Sequence, residues 1–165
     1  MTNDDNTSKQ RNTLQRNYRA PLETVWELWT TKGGIESWWG PEGFEVEVRL
    51  LDLRPGGELR YIMTAKDPAQ IEFMRNEGMP LATEVTISFT EVTPQRRLEF
   101  TFWVDFVSGV DPYLVSTTVE LGATADGVQM TVTFDAMHDN SWTERAKAGH
   151  ESELTKLDKI LGSSL

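Results

Sequence analysis

The chain has 165 residues, no cysteine and a formal net charge of −10, from 26 acidic and 16 basic side chains. The length suits one domain with a substantial core, and the lack of cysteine excludes disulfides, thiolate metal sites and a cysteine nucleophile. The negative charge argues against nucleic acid or an anionic membrane as partner. Met1 to Asn12 lacks the apolar stretch of a secretory signal, and no run of about 18 apolar residues occurs, so we expect a cytoplasmic protein.

The first elements in chain order are a polar tail, a short strand and a pair of helices. Residues 1–11 are rich in Asn, Asp, Thr and Ser, which predicts a disordered tail ahead of a single domain over 12–165. A weak strand pattern over 14–19 comes next. Pro21 suits the first position of a helix that ends at the glycine pair 33–34, and a short helical turn follows over 35–39.

Six later segments alternate apolar with polar residues, as the strands of an antiparallel sheet do when one face is in water. Their apolar rows span 44–50, 59–63, 85–89, 98–106, 113–121 and 128–134. The links between them are short and contain turn residues, such as Pro55-Gly56-Gly57, Thr93-Pro94-Gln95 and Ala125-Asp126-Gly127. Short links indicate hairpins, so the six strands should form a meander.

Two more helices are predicted, one between the strands and one at the end of the chain. Asp67 can cap the first, with Pro68 at its first position and Gly78 just past its end. Ser141 and Glu144 form a capping-box pattern that opens a long helix to about residue 161. Its inward stripe is Ala146, His150, Leu154, Leu157 and Leu161. Because one helix is narrower than the apolar face that it covers, a cavity can remain beside it.

Three motifs carry a family resemblance: residues 20–26 (APLETVW), 38–41 (WWGP) and 52–57 (DLRPGG). The chain resembles the SRPBCC superfamily, which includes START domains and the birch-pollen allergen, over about residues 13–161. Within it, the chain is most similar to the AHSA-type branch, named for the activator of a heat-shock chaperone ATPase. The resemblance implies an α+β helix-grip fold, in which a curved antiparallel sheet of about seven strands surrounds a long C-terminal helix.

The sequence departs from the branch at two places. The link over 66–80 is longer than the usual tight turn and contains its own predicted helix. His150 stands where the last helix of the branch usually carries an aromatic residue. A buried imidazole here is either a structural group with a hydrogen-bond partner or a polar anchor for a ligand. His138 is interpreted as an exposed structural residue, and its spacing to His150 matches no metal signature.

The predicted cavity lies toward the Trp142 end of the last helix, beneath the 66–80 segment. Most of the candidates to line it are apolar, and His150 and Tyr113 are the polar candidates. The candidate ligand-binding residues are Trp39, Met63, Phe73, Met74, Met79, Phe102, Phe106, Tyr113, Trp142 and His150.

Three functions agree with these features. The favoured hypothesis is non-catalytic binding of a small hydrophobic or aromatic molecule, by a monomer or homodimer that needs no cofactor or metal. The first alternative is regulation of a chaperone ATPase, although the eukaryotic activators carry an additional N-terminal domain. The second alternative is a cyclase- or lyase-like enzyme that uses His150 with a nearby carboxylate or tyrosine. No hydrolase, metalloprotease or nucleotide-binding motif occurs, so no catalytic residue is predicted.

Overall fold

The computed structural model describes residues 10–162, which form one antiparallel sheet and four helices. The elements in chain order are β1 (Arg11–Tyr18), α1 (Leu22–Thr30), α2 (Lys32–Trp38), β2 (Phe44–Leu51), β3 (Glu58–Ala65), α3 (Pro68–Asn76), β4 (Ala82–Thr93), β5 (Arg97–Val104), β6 (Tyr113–Ala123), β7 (Val128–Asp135) and α4 (Asn140–Leu161).

The sheet has the strand order β1-β7-β6-β5-β4-β3-β2, and every neighbouring pair is antiparallel. Strands β2 to β7 are therefore a meander, and β1 joins at the β7 edge. This confirms the predicted α+β helix-grip fold. Across residues 10–162, no helix combines the length and apolar character needed to cross a membrane.

Strand β1 begins one residue before the predicted domain boundary. Arg11 pairs with Asp135 of β7, and their side chains form an ion pair with Nε and Oδ1 3.2 Å apart. Of the predicted disordered tail, residues 1–9 lie outside the described residues.

The period-two rows are buried as predicted, with two exceptions. A register shift between Val48 and Leu50 turns Leu50 outward, because a bulge inserts one residue and reverses the alternation beyond it. The predicted apolar row over 98–106 is longer than β5. The strand ends at Val104, and Phe106 lies exposed in the following loop.

The prediction that Gly33 and Gly34 end the first helix was wrong. Helix α1 follows Pro21 and ends at Thr30, whereas Gly33 and Gly34 lie in the first turn of α2. The Thr31 hydroxyl accepts a hydrogen bond from the Gly34 N–H at 3.0 Å, which caps α2. The Thr31 side chain, rather than the glycine pair, therefore separates the two helices.

The predicted capping box of the last helix was also wrong. The cap is Asp139, whose carboxylate accepts the Trp142 N–H at 2.8 Å, and α4 begins at Asn140. Thr143 supports this turn, because its hydroxyl donates to the Asp139 carbonyl and accepts from the Met137 N–H, both at 2.8 Å. Ser141 lies exposed inside the first turn.

Helix α3 agrees with the sequence prediction. The Asp67 carboxylate accepts the N–H groups of Ala69 and Gln70, Pro68 is the first helical residue, and Gly78 follows the end with a φ of 70°. Met74 is the buried residue of this helix.

Polar contacts fasten α4 to the loop between α2 and β2. The Gly40 N–H donates to Glu153 at 2.8 Å, and the Glu42 N–H donates to the Ser152 hydroxyl at 2.9 Å. The Lys156 ammonium donates to the carbonyls of Trp39, Gly40 and Phe44 at 3.0–3.3 Å. These hydrogen bonds therefore hold the loop against the second half of α4.

Candidate functional site

A cavity of about 140 Å³ lies between the sheet, the α1–α2 pair and α4. Its walls come from α1 and α2 on one side, from strands β3 to β6 on another, and from one turn of α4. The lining residues are Trp29, Trp38, Trp39, Tyr61, Val85, Ile87, Phe100, Phe102, Thr117, His150 and Glu153. An apolar protein cavity of about 150 Å³ accepts benzene, so this space suits a body of about one ring.

Three tryptophans build the helical side of the cavity. The rings of Trp29 and Trp38 meet edge to face with centroids 4.6 Å apart, and the Trp39 ring is 6.0 Å from each. Trp39 also contacts Tyr61 at 5.5 Å and Phe100 at 5.9 Å, which joins the helices to the inner face of the sheet. The Trp39–Phe100 contact is tilted and the other four are edge to face, a geometry that stabilises aromatic pairs.

Two polar atoms on lining residues are buried without a hydrogen-bond partner in the described chain: Trp39 Nε1 and Thr117 Oγ1. The other two tryptophans are satisfied, because the Trp29 N–H donates to Met130 Sδ and the Trp38 N–H to the Leu28 carbonyl. A buried polar group without a partner costs about 1–3 kcal/mol. A water or a ligand in the cavity would provide the missing bonds.

Glu153 brings a carboxylate to this aromatic site. One oxygen accepts the Gly40 N–H, and 24% of the side-chain surface is still accessible. Burial raises the pKa of Glu153 to about 7, because the surrounding protein solvates the charged form poorly. The same burial, together with the charge of Glu153, raises the pKa of Tyr61.

His150 lies one turn earlier on the same face of α4. Its ring packs against Phe134 with centroids 4.2 Å apart, and its Nδ1 lies 3.7 Å from Oε1 of Glu153. That distance is too long for a hydrogen bond. Burial lowers the pKa of His150 to about 4, so the imidazole is neutral at neutral pH. The structure thus places His150 at the cavity wall, and its role as a polar anchor for a ligand stays a prediction.

The structure brings three of the ten predicted residues to the cavity: Trp39, Phe102 and His150. Phe73, Met79 and Phe106 are exposed, while Met74 is buried in α3. Met63, Tyr113 and Trp142 also lie outside the lining.

The predicted location of the cavity was wrong. At the Trp142 end of α4, the Trp142 ring makes surface contacts instead, 5.9 Å from the exposed Phe106 ring and beneath the Arg145 guanidinium. Tyr113 belongs to that end as well, where its hydroxyl bonds His138 Nδ1 at 2.7 Å. The cavity lies further along α4, and no residue of the 66–80 segment lines it.

Sequence reasoning missed most of the lining, and Glu153 and Thr117 are the omissions with the largest consequences. Both residues could have been recognised in the sequence as polar residues at core-facing positions. Thr117 is a polar residue within an apolar row of β6, and Glu153 lies one helical turn from His150, beside Leu154. Polar residues at core-facing positions are the ones that call for a functional explanation.

The fold and its cavity define the class of the protein, a helix-grip domain with a small aromatic-walled space between its sheet and its helices. The model of the family described as Activator of Hsp90 ATPase homolog 1-like protein matches residues 19–162. The chain therefore belongs to this family, as the sequence motifs predicted. Curated proteins yield no significant match.

Solved structures agree with this fold. A protein from Chromobacterium violaceum is 22% identical with a TM-score of 0.73, and the match covers 92% of this chain and 96% of that one. A protein from Nitrosomonas europaea is 25% identical with a TM-score of 0.69, covering 98% of each chain. The AHSA1 protein from Silicibacter pomeroyi is 20% identical with a TM-score of 0.71, covering 93% of this chain and 98% of that one. These likenesses show the fold.

Proposed function

We propose that the protein binds a small apolar or aromatic molecule in the cavity between its sheet and α4, without transforming it. The observation that supports this most is an open volume of about 140 Å³ whose walls are mainly aromatic rings. Pockets of this kind, apolar with a few polar groups, are the usual form of small-molecule sites. In this proposal the protein acts in the cytoplasm as a monomer or homodimer and binds neither nucleic acid nor membranes.

The unpaired polar atoms at the cavity support the same proposal. Trp39 Nε1 and Thr117 Oγ1 are buried without a hydrogen-bond partner among residues 10–162, and a satisfied core would leave neither. A ligand oxygen on an apolar body would accept from the Trp39 N–H or bond the Thr117 hydroxyl, while the remaining ligand surface contacts the rings.

Two measurements test the proposal. Native mass spectrometry of freshly purified protein should show a retained small molecule, or the addition of benzyl alcohol as a neutral probe. Thermal melts should show stabilisation by the same probe, because a ligand that binds only the folded state raises the melting temperature.

A cavity-filling variant provides the control. Val85→Phe adds a ring to the cavity wall, whereas Thr86→Phe adds the same ring at the exposed neighbouring position of β4. Benzyl alcohol should stabilise Thr86→Phe like the wild type and should not stabilise Val85→Phe. Equal responses of the two variants would contradict binding in this cavity, as would a wild type that responds neither to benzyl alcohol nor to its charged analogue benzylammonium at millimolar concentrations.

Regulation of a chaperone ATPase is a second proposal, and a surface feature favours it. Trp103 and Leu114 face each other across β5 and β6 on the outside of the sheet, with 56% and 39% of their surfaces exposed. Exposed apolar pairs of this kind often mark protein contacts. A double Trp103→Ser, Leu114→Ser variant should then lose any stimulation of Hsp90 ATPase activity by the wild type. Equal stimulation by the two proteins would exclude this surface.

A third proposal is an enzyme of the cyclase or lyase type, and the Glu153 carboxyl supports it. With a pKa of about 7, it can take up or release a proton near neutral pH. If it does so on a bound ketone, the wild type should exchange the α-hydrogens of that ketone with deuterium from the solvent. Exchange no faster than with Glu153→Gln would exclude this role.

A further inference from the structure

The charge at the cavity is carried by one side chain. Among the described residues that line it, Glu153 is the single acid, and His150 is the single basic group. Burial lowers the pKa of His150 to about 4, so His150 is neutral at physiological pH. A bound molecule therefore meets aromatic rings and at most one charge, which is negative.

No neighbour neutralises that carboxylate directly. Oε2 of Glu153 accepts the Gly40 N–H at 2.8 Å, while Oε1 lies 3.7 Å from a neutral imidazole. Lys156 follows on the next turn, and its charge favours the ionised form of Glu153 through space. Lys156 lies outside the cavity lining, however, and its ammonium donates to the carbonyls of Trp39, Gly40 and Phe44. Oε1 therefore has no hydrogen bond from the described part of the chain.

The rings around the carboxylate suit a positive charge. Six of the eleven lining residues are Trp, Tyr or Phe. The faces of these rings attract cations, with Trp the strongest, and the attraction grows as the cation is desolvated. An aromatic cage beside a carboxylate is a recurring site for ammonium groups, whereas a purely apolar ligand would place no cation in contact with the carboxylate.

We propose that the natural occupant of the cavity is a small organic cation, with an ammonium group toward Glu153 and an apolar body of about one ring against the tryptophans. This rests on the proposed function, since it specifies the class of ligand for the same cavity. The net charge of −10 also favours it, because a negative protein attracts cations and repels anions over long range.

The binding of a cation should depend on the protonation of Glu153. The titratable groups that face this carboxyl are His150 and Lys156 on α4 and Tyr61 on β3. Glu42 in the α2–β2 loop acts on Lys156 and pairs with Lys159. Since Tyr61 and His150 are neutral near pH 7, affinity should be highest above pH 7 and should fall as Glu153 is protonated below it.

Two probes of equal size separate charge from shape. Benzylammonium and benzyl alcohol have the same number of heavy atoms, but only the first is charged at neutral pH. Isothermal titration calorimetry at pH 8 should show that benzylammonium binds the wild type about tenfold tighter, or more, than benzyl alcohol. Tetramethylammonium, which has no N–H, should also bind, because the rings recognise the charge itself.

Two variants identify the carboxylate responsible. Glu153→Gln retains an acceptor for the Gly40 N–H but removes the charge, so it should abolish the preference for benzylammonium. Glu151→Gln removes the same charge from an exposed position on α4 and should leave the preference unchanged. Circular dichroism would confirm that both variants are folded.

The outcomes distinguish this inference from the proposed function. If benzyl alcohol binds as tightly as benzylammonium, or tighter, the cavity is a neutral site and the cation proposal is overturned while the proposed function stands. If neither probe binds at millimolar concentrations, both proposals fail. The wild-type comparison decides the matter even if Glu153→Gln does not fold.

Discussion

Nδ1 of His150 lies 3.7 Å from Oε1 of Glu153 at the wall of the cavity, yet burial shifts the two pKa values in opposite directions. Because both side chains are largely surrounded by protein, each favours its neutral form. At pH 7 the pair is therefore a neutral imidazole beside a carboxyl that is about half ionised. The two shifts make opposite contributions to the pH dependence of stability.

Glu153→Gln should stabilise the protein at high pH. The pKa of Glu153 is raised to about 7 in the folded state, so the folded protein binds more protons than the unfolded chain between about pH 4.5 and 7. Stability is therefore lost as the pH rises through 7. Chemical denaturation at pH 8 should show Glu153→Gln more stable than the wild type by about 1–3 kcal/mol, with little difference at pH 4.5. A variant that is less stable at pH 8 would show that the carboxylate stabilises the fold.

His150→Leu should show the opposite pH dependence. The folded pKa of about 4 lies below the usual value, so the unfolded chain binds more protons between about pH 4 and 6.5, and stability falls as the pH falls through this range. Leucine removes this loss and keeps the apolar contact with Phe134. We expect equal or greater stability at pH 7, a smaller decrease at pH 5, and weaker binding of ligands with a polar group.

His138→Leu is the matched control. Its Nδ1 forms a 2.7 Å hydrogen bond with the Tyr113 hydroxyl, which also accepts the His138 backbone N–H. This variant should lose about 0.5–1.5 kcal/mol at pH 7. If His150→Leu were the more destabilising of the two, His150 would have a structural role.

The strands could be predicted from the sequence because their signal is local. Period-two rows and short turns define β2 to β7, and a crossover does not fit into such short links. The helix starts were harder, since Asp139 and Ser141 are both good capping residues. The hydrogen bonds of the Thr143 hydroxyl to Met137 and Asp139 support the turn that begins at Asp139.

The cavity could not be predicted because it depends on packing between distant segments. Its lining joins residues from two N-terminal helices, four strands and α4. A side chain on the inner face of the sheet either lines the cavity or packs against another side chain. The distance between α4 and that strand decides which of the two occurs. Sequence periodicity indicates the face on which Phe102 and His150 lie, but not the part of the helix beneath which the cavity remains.

Removal of the cap of α4 should identify Asp139 as the residue that begins the helix. Asp139→Ala deletes the acceptor of the Trp142 N–H and should cost about 1 kcal/mol. Ser141→Ala should change the unfolding free energy by less than about 0.5 kcal/mol, since Ser141 is exposed. Urea denaturation of both variants measures the difference. A loss of stability in Ser141→Ala but not in Asp139→Ala would show that Ser141 is the cap.

Two buried threonines should respond differently to removal of the hydroxyl. Thr117 Oγ1 has no partner in the described chain, so Thr117→Val should be neutral or stabilising in the ligand-free protein. Thr143→Val breaks two hydrogen bonds and leaves the Met137 N–H unpaired, at a cost of about 1–3 kcal/mol. Thermal melts would separate them, and destabilisation by Thr117→Val would point to a bound water at its hydroxyl.

The neighbouring glycines of α2 should respond in opposite ways to alanine. A Cβ on Gly34 would collide with the Glu27 carbonyl oxygen and lie 2.8 Å from Leu28 Cα, and both are backbone atoms that move only if α1 moves. Gly33 has nothing within 4 Å of an added Cβ. Alanine also restricts the unfolded chain and is the better helix former. Gly33→Ala should therefore stabilise the protein by about 0.5–1 kcal/mol.

Gly34→Ala should lower stability by more than Gly33→Ala raises it, and it should also disturb the cavity. Helix α2 carries Trp38 and leads into Trp39, so a shift of α2 away from α1 displaces two of the lining rings. We expect a lower melting temperature and a weaker response to benzyl alcohol for Gly34→Ala, and a normal response for Gly33→Ala. Tryptophan fluorescence would report the displacement directly. An undisturbed spectrum together with wild-type stability would show that the two helices can separate without affecting the cavity.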